Sequence, residues 1–207
     1  MWHQRGHRPA ALHSQKELHL DIANSTVRLR AIDRGALLAH FLALDPEDRR
    51  LRFGARAGDQ LLEEYVGRIN FARDCLFAVH DDSLRLIAVV HVATGDGEAE
   101  LGMSVLSGWR FHGLGNALLK RAVMWLRNRG ILSVHVHCLA ENAAMMHLAR
   151  KNGMRIAYDG SETDARLELE AATADSYVSE WLEEQRGLAH HALRQNTRWM
   201  QALMGMG

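Results

Sequence analysis

Apolar and polar positions along this chain switch between two periods, and the switches divide it into elements. Thr26 to Arg30 alternates with period two and predicts a short strand. Leu37, Leu38, Phe41, Leu42 and Leu44 then recur at helical spacing behind Asp33, a residue suited to an N-cap. Asp45-Pro46 ends that helix, and proline at a first helical position opens a second over Pro46 to Phe53. A third follows Asp59, with Leu61, Leu62, Tyr65, Val66 and Ile69 along one side. Three strand-like runs come next, Cys75 to His80, Leu84 to Ala93 and Ala99 to Leu106, separated by Asp81-Asp82 and Thr94-Gly-Asp-Gly97, and they read as a meander.

A long helix begins after Gly113 and ends at Gly130. Leu118, Leu119, Ala122, Val123, Trp125 and Leu126 are expected inside, and Lys120, Arg121, Arg127 and Arg129 outside. Ile131 to Cys138, rich in β-branched residues, predicts a strand. A short helix is expected from about Asn142 to Asn152, closed by Gly153, and then a hairpin of Met154 to Tyr158 with Ala165 to Glu170. Beyond it, Tyr177, Val178, Trp181, Leu182, Ala189, Ala192, Leu193, Trp199, Met200 and Leu203 form a helical stripe. Glu183 to Gly187 interrupts it, which predicts one kinked helix or two. That stripe must be covered, by its own domain or by a second subunit in a homodimer. Residues 1–22 show no period and read as a loose leader with no assigned function.

Chemistry concentrates where the third meander strand runs into Gly113 and Gly115. Glycine permits positive φ and lets a ligand approach the backbone. The helix start behind it exposes unpaired N–H groups and the positive end of the macrodipole, with Arg110 and His112 flanking. A dinucleotide fingerprint fails at Leu118, where glycine or alanine belongs, and a phosphate loop of the Lys-Ser/Thr kind fails at Asn116-Ala117.

Composition narrows the classes. With 207 residues and 47% hydrophobic content, one domain with an appendage can build a real core. Lys+Arg and Asp+Glu balance at 25 each, so no global field recruits nucleic acid or an anionic membrane. Neither partner is expected. Two cysteines inside apolar runs point to a reducing compartment, by default the cytoplasm, and the N-terminal stretch lacks the apolar region of a signal peptide. Although there are thirteen histidines, His135 and His137 on one strand face lack a third ligand and no metal motif occurs, so no metal is expected.

Arg110-x-x-Gly113-x-Gly115, with a strand before it and a helix after it, resembles the pyrophosphate-binding motif of the GNAT acetyltransferase superfamily. The element order over about residues 26 to 170 is also similar to that superfamily's. The resemblance implies an α/β (α+β) GNAT fold: a mixed, mostly antiparallel sheet flanked by helices over residues 23–171, with an extra C-terminal helical segment over 172–207. It implies acetyl-CoA as cosubstrate, with backbone groups of Met103 and Val105 pairing with the pantetheine arm. Arg110, His112, Gly113, Leu114, Gly115 and Asn116 would hold the pyrophosphate, and Asn142 would begin the helix near the arm. Pro46-Glu-Asp-Arg-Arg-Leu-Arg-Phe53, and Glu141-Asn142 with Met145 or Met146 before Gly153, resemble segments of bacterial protein-lysine acetyltransferases.

Acetylating an amine of pKa about 10.4 at neutral pH requires a base, since only about one such amine in 2,500 is already neutral. Glu100, at the start of the strand before the loop, is the candidate, with partial burial expected to raise its pKa; Glu98 is the nearest substitute. Many relatives place a tyrosine seven residues after the asparagine to return a proton to the thiolate, and this chain has Ala149 there. Either the thiolate leaves without that acid, as in the protein-lysine branch that the chain resembles, or His147, Cys138 or water serves, with water the favoured group. The expected activity is acetyl transfer from acetyl-CoA to a primary amine, a protein lysine or a small molecule such as a polyamine, amino acid or antibiotic. A non-catalytic acyl-CoA sensor stands as the alternative.

Overall fold

The computed structural model describes residues 25–204. The leader at residues 1–22 lies outside them, as do the side chains of Trp199, Met200 and Leu203. Seven strands form one sheet in the order β1-β2-β3-β4-β5-β7-β6. They are β1 Val27–Arg28, β2 Cys75–His80, β3 Leu86–Gly95, β4 Glu98–Val105, β5 Ser133–Leu139, β6 Arg155–Asp159 and β7 Glu162–Glu168. All neighbours are antiparallel except β4 and β5. The helices are α1 Arg34–Leu42, α2 Pro46–Phe53, α3 Asp59–Arg68, α4 Leu114–Arg127, α5 Ala143–Lys151 and α6 Ala174–Met204. β2 is buried along its whole length and β3 over most of its length, so these two read as continuous apolar runs rather than alternations.

Local chemistry accounts for most of the helix boundaries. Asp45 caps α2 by accepting from the Asp48 N–H at 2.8 Å, with Pro46 in the first turn. Arg49 then reaches back to the Leu42 and Leu44 carbonyls and across to Asp59, joining the end of α1 to the start of α3. Two expected caps do otherwise. Asp33 accepts from the Arg30 N–H instead of capping α1, and Gly58 precedes α3 with Asp59 already inside it.

Three other expectations are corrected. The hairpin return starts at Glu162 rather than Ala165, because Glu162, Thr163 and Asp164 are polar and hide a strand whose Thr163 is fully buried. The C-terminal segment is one continuous helix. Gly187 does not break it but lets it lie against β1, where a Cβ would stand 2.3 Å from the Thr26 carbonyl oxygen. Arg121, expected outside, is 2% exposed. Its guanidinium lies 4.4 Å from the Phe77 ring centre, 3.3 Å from Glu184 and 3.8 Å from Glu180. Glu180 also accepts from Asn128 at 2.6 Å and Arg129 at 3.0 Å, so a charged cluster docks α6 onto α4. Along the flank of that docked face α6 exposes Tyr177, Trp181 and Leu188, although the Tyr177 hydroxyl donates to the Asn128 carbonyl at 3.1 Å.

Candidate active site

β4 and β5 pair in parallel only from Glu98–Ser133 to Glu100–His135 and then part. The gap between them is a cavity of about 280 Å³. Leu101, Gly102 and Met103 line it from β4, Val136 to Leu139 from β5, Leu51 to Gly54 from the end of α2, and Asn142 and Met145 from α5. On its other edge β4 stays paired with β3 throughout, and just past its end the Leu106 N–H donates to the Ile87 carbonyl. Antiparallel alternation from that bond turns the backbone groups of Leu101, Met103 and Val105 away from β3, toward the gap. Unpaired backbone groups on a parted strand can accept an extended ligand as an added strand.

The glycine turn stands at the end of this strand. Gly113 has φ +80° and precedes α4 without a side-chain cap, and the first helical bond is from the Ala117 N–H to the Gly113 carbonyl. The N–H groups of Leu114, Gly115 and Asn116 therefore belong to the open first turn. Of the two glycines in this turn, Gly113 alone uses glycine's conformational freedom. Gly115 is helical, and a Cβ there would make ordinary contacts of 3.7 Å with Leu148 and 3.8 Å with Met103. The other unusual backbone is Phe111, with φ +65° and a fully exposed side chain. The His112 ring is tilted at 59° against Trp109, with ring centres 6.3 Å apart. Arg110 is not a free cation, because its guanidinium is bound to the buried Asp48 of α2. Burial raises the Asp48 carboxyl's pKa in spite of that partner.

Asn142 caps α5 by accepting from the Met145 N–H at 3.0 Å, and it also lines the cavity. Ala149 is buried with no exposure, so the position that could carry a proton-donating tyrosine faces the core. His147 is exposed and does not line the cavity, whereas Cys138 does, and burial raises its thiol's pKa. His137 pairs with Glu162.

Glu100 lines the cavity mouth but is exposed, so the partial burial expected for it is absent. Glu98 binds Arg166 and Ser133, and the arginine holds its carboxyl below the usual range. That engagement makes it a poor substitute base.

Glu100, Gly102 and Ser104 share one face of β4, and a chain of polar groups that the sequence did not reveal packs against it. His40 of α1 joins Ser104 Oγ at 2.8 Å and the Leu86 carbonyl at 2.9 Å; burial lowers its pKa to about 4, so it is neutral. Above Gly102 sits the Arg52 guanidinium, 4.8 Å from the Phe53 ring centre and donating to the Tyr65 hydroxyl at 2.9 Å. Tyr65 in turn shares a hydrogen bond of 2.6 Å with His91 Nδ1, and His91 Nε2 stands 3.4 Å from Asp74. Burial first, and Arg52 next, lower the His91 pKa. A signal for Arg52 existed in the Arg-Phe end of the α2 segment, but nothing in helical spacing says that an arginine turns inward.

Residues 68–154 match the model of the acetyltransferase (GNAT) family. This is the GNAT fold. The GNAT domain of Streptomyces lividans PAT superposes with a TM-score of 0.60 at 19% identity, covering 70% of this chain and 89% of that one. The Escherichia coli ribosomal-protein-S18-alanine N-acetyltransferase gives 0.55 at 20% identity, over 72% and 96%. The Vibrio cholerae spermidine N-acetyltransferase, solved with CoA and spermine, gives 0.55 at 18%, over 70% and 95%. At these identities the likeness is one of fold. No curated protein sequence matches the chain. The GNAT match contains the whole of β4, the glycine turn, α4, β5 and α5, that is, the parted strands and the open helix start together.

Proposed function

We propose that the chain is an acetyl-CoA-dependent N-acetyltransferase that moves acetyl directly to a primary amine. The observation that carries this reading is the parting of β4 from β5, with outward backbone groups that lead to the open first turn of α4. The pantetheine arm would add to β4 at Met103 and Val105, and the pyrophosphate would meet the N–H groups behind Gly113, with Arg110, His112, Leu114, Gly115 and Asn116 around it and Asn142 at the arm. Glu100 would accept the ammonium proton at the cavity mouth, directly or through one water, as the amine nitrogen bonds to the acyl carbon and the C–S bond breaks. Water, or Cys138 on the cavity wall, would return a proton to the leaving thiolate.

The similarity to the S. lividans PAT domain, together with the Glu-Asp…Arg-Phe segment, supports a protein lysine as acceptor. The two free, buried cysteines suit a cytoplasmic setting. A homodimer through the outer row of α6 belongs to the same proposal, supported by the exposure of Tyr177, Trp181 and Leu188. Light scattering tests it, since Trp181→Glu should halve the mass of such a dimer.

Glu100→Gln tests the chemistry, because it keeps shape and removes basicity. Turnover should fall about 10²- to 10⁴-fold at pH 7 while acetyl-CoA affinity by calorimetry stays near wild type, with partial recovery at high pH where free amine is plentiful. Wild-type turnover at pH 7 would remove Glu100 from the reaction. Failure of acetyl-CoA to bind would remove the reading as a whole.

A further inference from the structure

Arg52 is a built feature for which the acyl transfer outlined above has no use. Its guanidinium lies so close to β4 that a Cβ at residue 102 would be 2.0 Å from Nη2 and 2.2 Å from Cζ, so glycine there is what admits it. Phe53, Tyr65 and Phe41 surround it at 4.8, 5.6 and 6.0 Å between Cζ and ring centre. Its one hydrogen bond among the described residues is to Tyr65, a neutral hydroxyl, and its Nε is buried without a partner. Among the described residues no carboxylate lies within ion-pair reach of it, although the other arginines of α2, Arg49 and Arg50, each have one. A guanidinium is always charged and presents a planar fork that matches a carboxylate. Holding that charge unpaired in a cavity wall is costly unless a ligand supplies the anion.

The setting fixes what kind of ligand that is. Arg52 lines the cavity on the β4 face that also carries Glu100, two residues toward the mouth and about 7 Å away along the strand. One face thus presents a carboxylate and a guanidinium side by side, complementary to a molecule that carries an ammonium and a carboxylate. The Tyr65, His91 and Asp74 series behind Arg52 fixes the fork from the rear and leaves its cavity side for the ligand.

We propose that Arg52 is the acceptor-recognition residue and that the acceptor is an amine bearing a carboxylate, which binds Arg52 while its amine meets Glu100. The inference rests on the acetyltransferase reading and specifies its substrate class. The carboxylate belongs either to a free amino acid or to an acidic residue beside a peptide lysine.

The test measures CoA release from acetyl-CoA by the full chain with paired acceptors. The pairs are the free amino acids and their amides, lysine and cadaverine, and lysine peptides with glutamate or glutamine flanking the lysine. At least one carboxylated member should exceed its neutral partner about tenfold or more in kcat/KM, mainly through KM, as loss of a charged hydrogen bond implies. In Arg52→Gln that gap should close, and in Arg52→Lys part of it should remain. Acetyl-CoA binding by calorimetry and thermal unfolding confirm that each variant is folded. Preference among free amino acids and preference among peptides distinguish the two sources.

Three results overturn the inference while leaving the acetyltransferase reading standing: neutral partners used as well as carboxylated ones, a gap that survives in Arg52→Gln, or a kcat loss equal for both members of each pair, which would place Arg52 on the acyl oxygen instead. A protein that binds acetyl-CoA and acetylates no carboxylated amine overturns it too. No binding of acetyl-CoA refutes the underlying reading itself.

Discussion

Gly102→Ala perturbs the molecule at one known point. The new methyl carbon would lie 2.0 Å from Arg52 Nη2, while ordinary contacts begin at 3.4 Å, so the guanidinium must withdraw by about 1.4 Å. The atoms in the way are the end of a flexible side chain, so the strand holds and Arg52 moves. Withdrawal breaks the 2.9 Å bond to Tyr65 and loosens the stacking on Phe53. A hydrogen bond to a charged group contributes about 1.5–3 kcal/mol and a partly exposed cation–π contact about 0.5–1. Alanine's better fit to a strand returns part of this, leaving a net loss of about 1–2 kcal/mol. In a chain of this size that lowers Tm by about 2–8 °C.

A second readout separates this mechanism from general damage. Arg52 is one of the groups that depress the His91 pKa, so its retreat should raise that pKa, which proton NMR of the His91 ring would follow through a pH titration. The His40 titration is a weaker control, since Arg52 is only a minor cause there. An unchanged His91 titration together with an unchanged Tm would mean that Arg52 does not rest on Gly102, and the recognition argument would lose its geometric basis.

Acid should destabilise the fold through His40. Its folded pKa of about 4 lies below the ordinary histidine value of 6.5, so between those pH values the unfolded chain binds the extra proton; stability present above pH 6.5 is lost as pH falls, by about 3 kcal/mol at most from this group. Urea midpoints at pH 7, 5.5 and 4.5 should show this fall, and His40→Gln should reduce it, leaving the part due to His80 and His91, whose pKa values burial also lowers. The charged cluster under α6 should respond asymmetrically. Glu180→Ala leaves the buried Arg121 with Glu184 alone and takes the acceptor from Asn128 and Arg129, and should cost about 3 kcal/mol, whereas Arg121→Met removes the buried charge, leaves Glu180 with Asn128 and Arg129, and should cost about 1 kcal/mol or less by denaturant unfolding. Equal losses would contradict the reasoning. Gly187→Ala places a methyl 2.3 Å from a backbone oxygen that cannot step aside, so it should detach α6 and raise protease sensitivity there, while Gly115→Ala, at 3.7 Å from its nearest neighbour, should leave the fold intact.

The sequence by itself determined the order of elements, the glycine turn and the edges of the long helices, because these depend on local quantities: period, caps, proline and positive φ. Asp45-Pro46 and Asn142 act where they stand in the chain, and Gly113 requires its φ whatever surrounds it. Tertiary structure alone decided which polar residues turn inward. Arg121 stands at the edge of the apolar face, three residues after Leu118 and four before Trp125, and a charge is held there because Phe77 packs on it and α6 brings Glu180 and Glu184 to it. Thr163 reads as loop and lies in the core because β5 pairs with it. Gly187 resembles a helix breaker and is a contact point, since the oxygen it accommodates belongs to Thr26, 161 positions earlier. Arg52, Tyr65 and His91 come from three separate elements and Asp74 from the loop before β2, and they meet only when α2 and α3 pack on β3 and β4. A buried charge is tolerable only with partners from elsewhere in the chain, and no window of local sequence contains them.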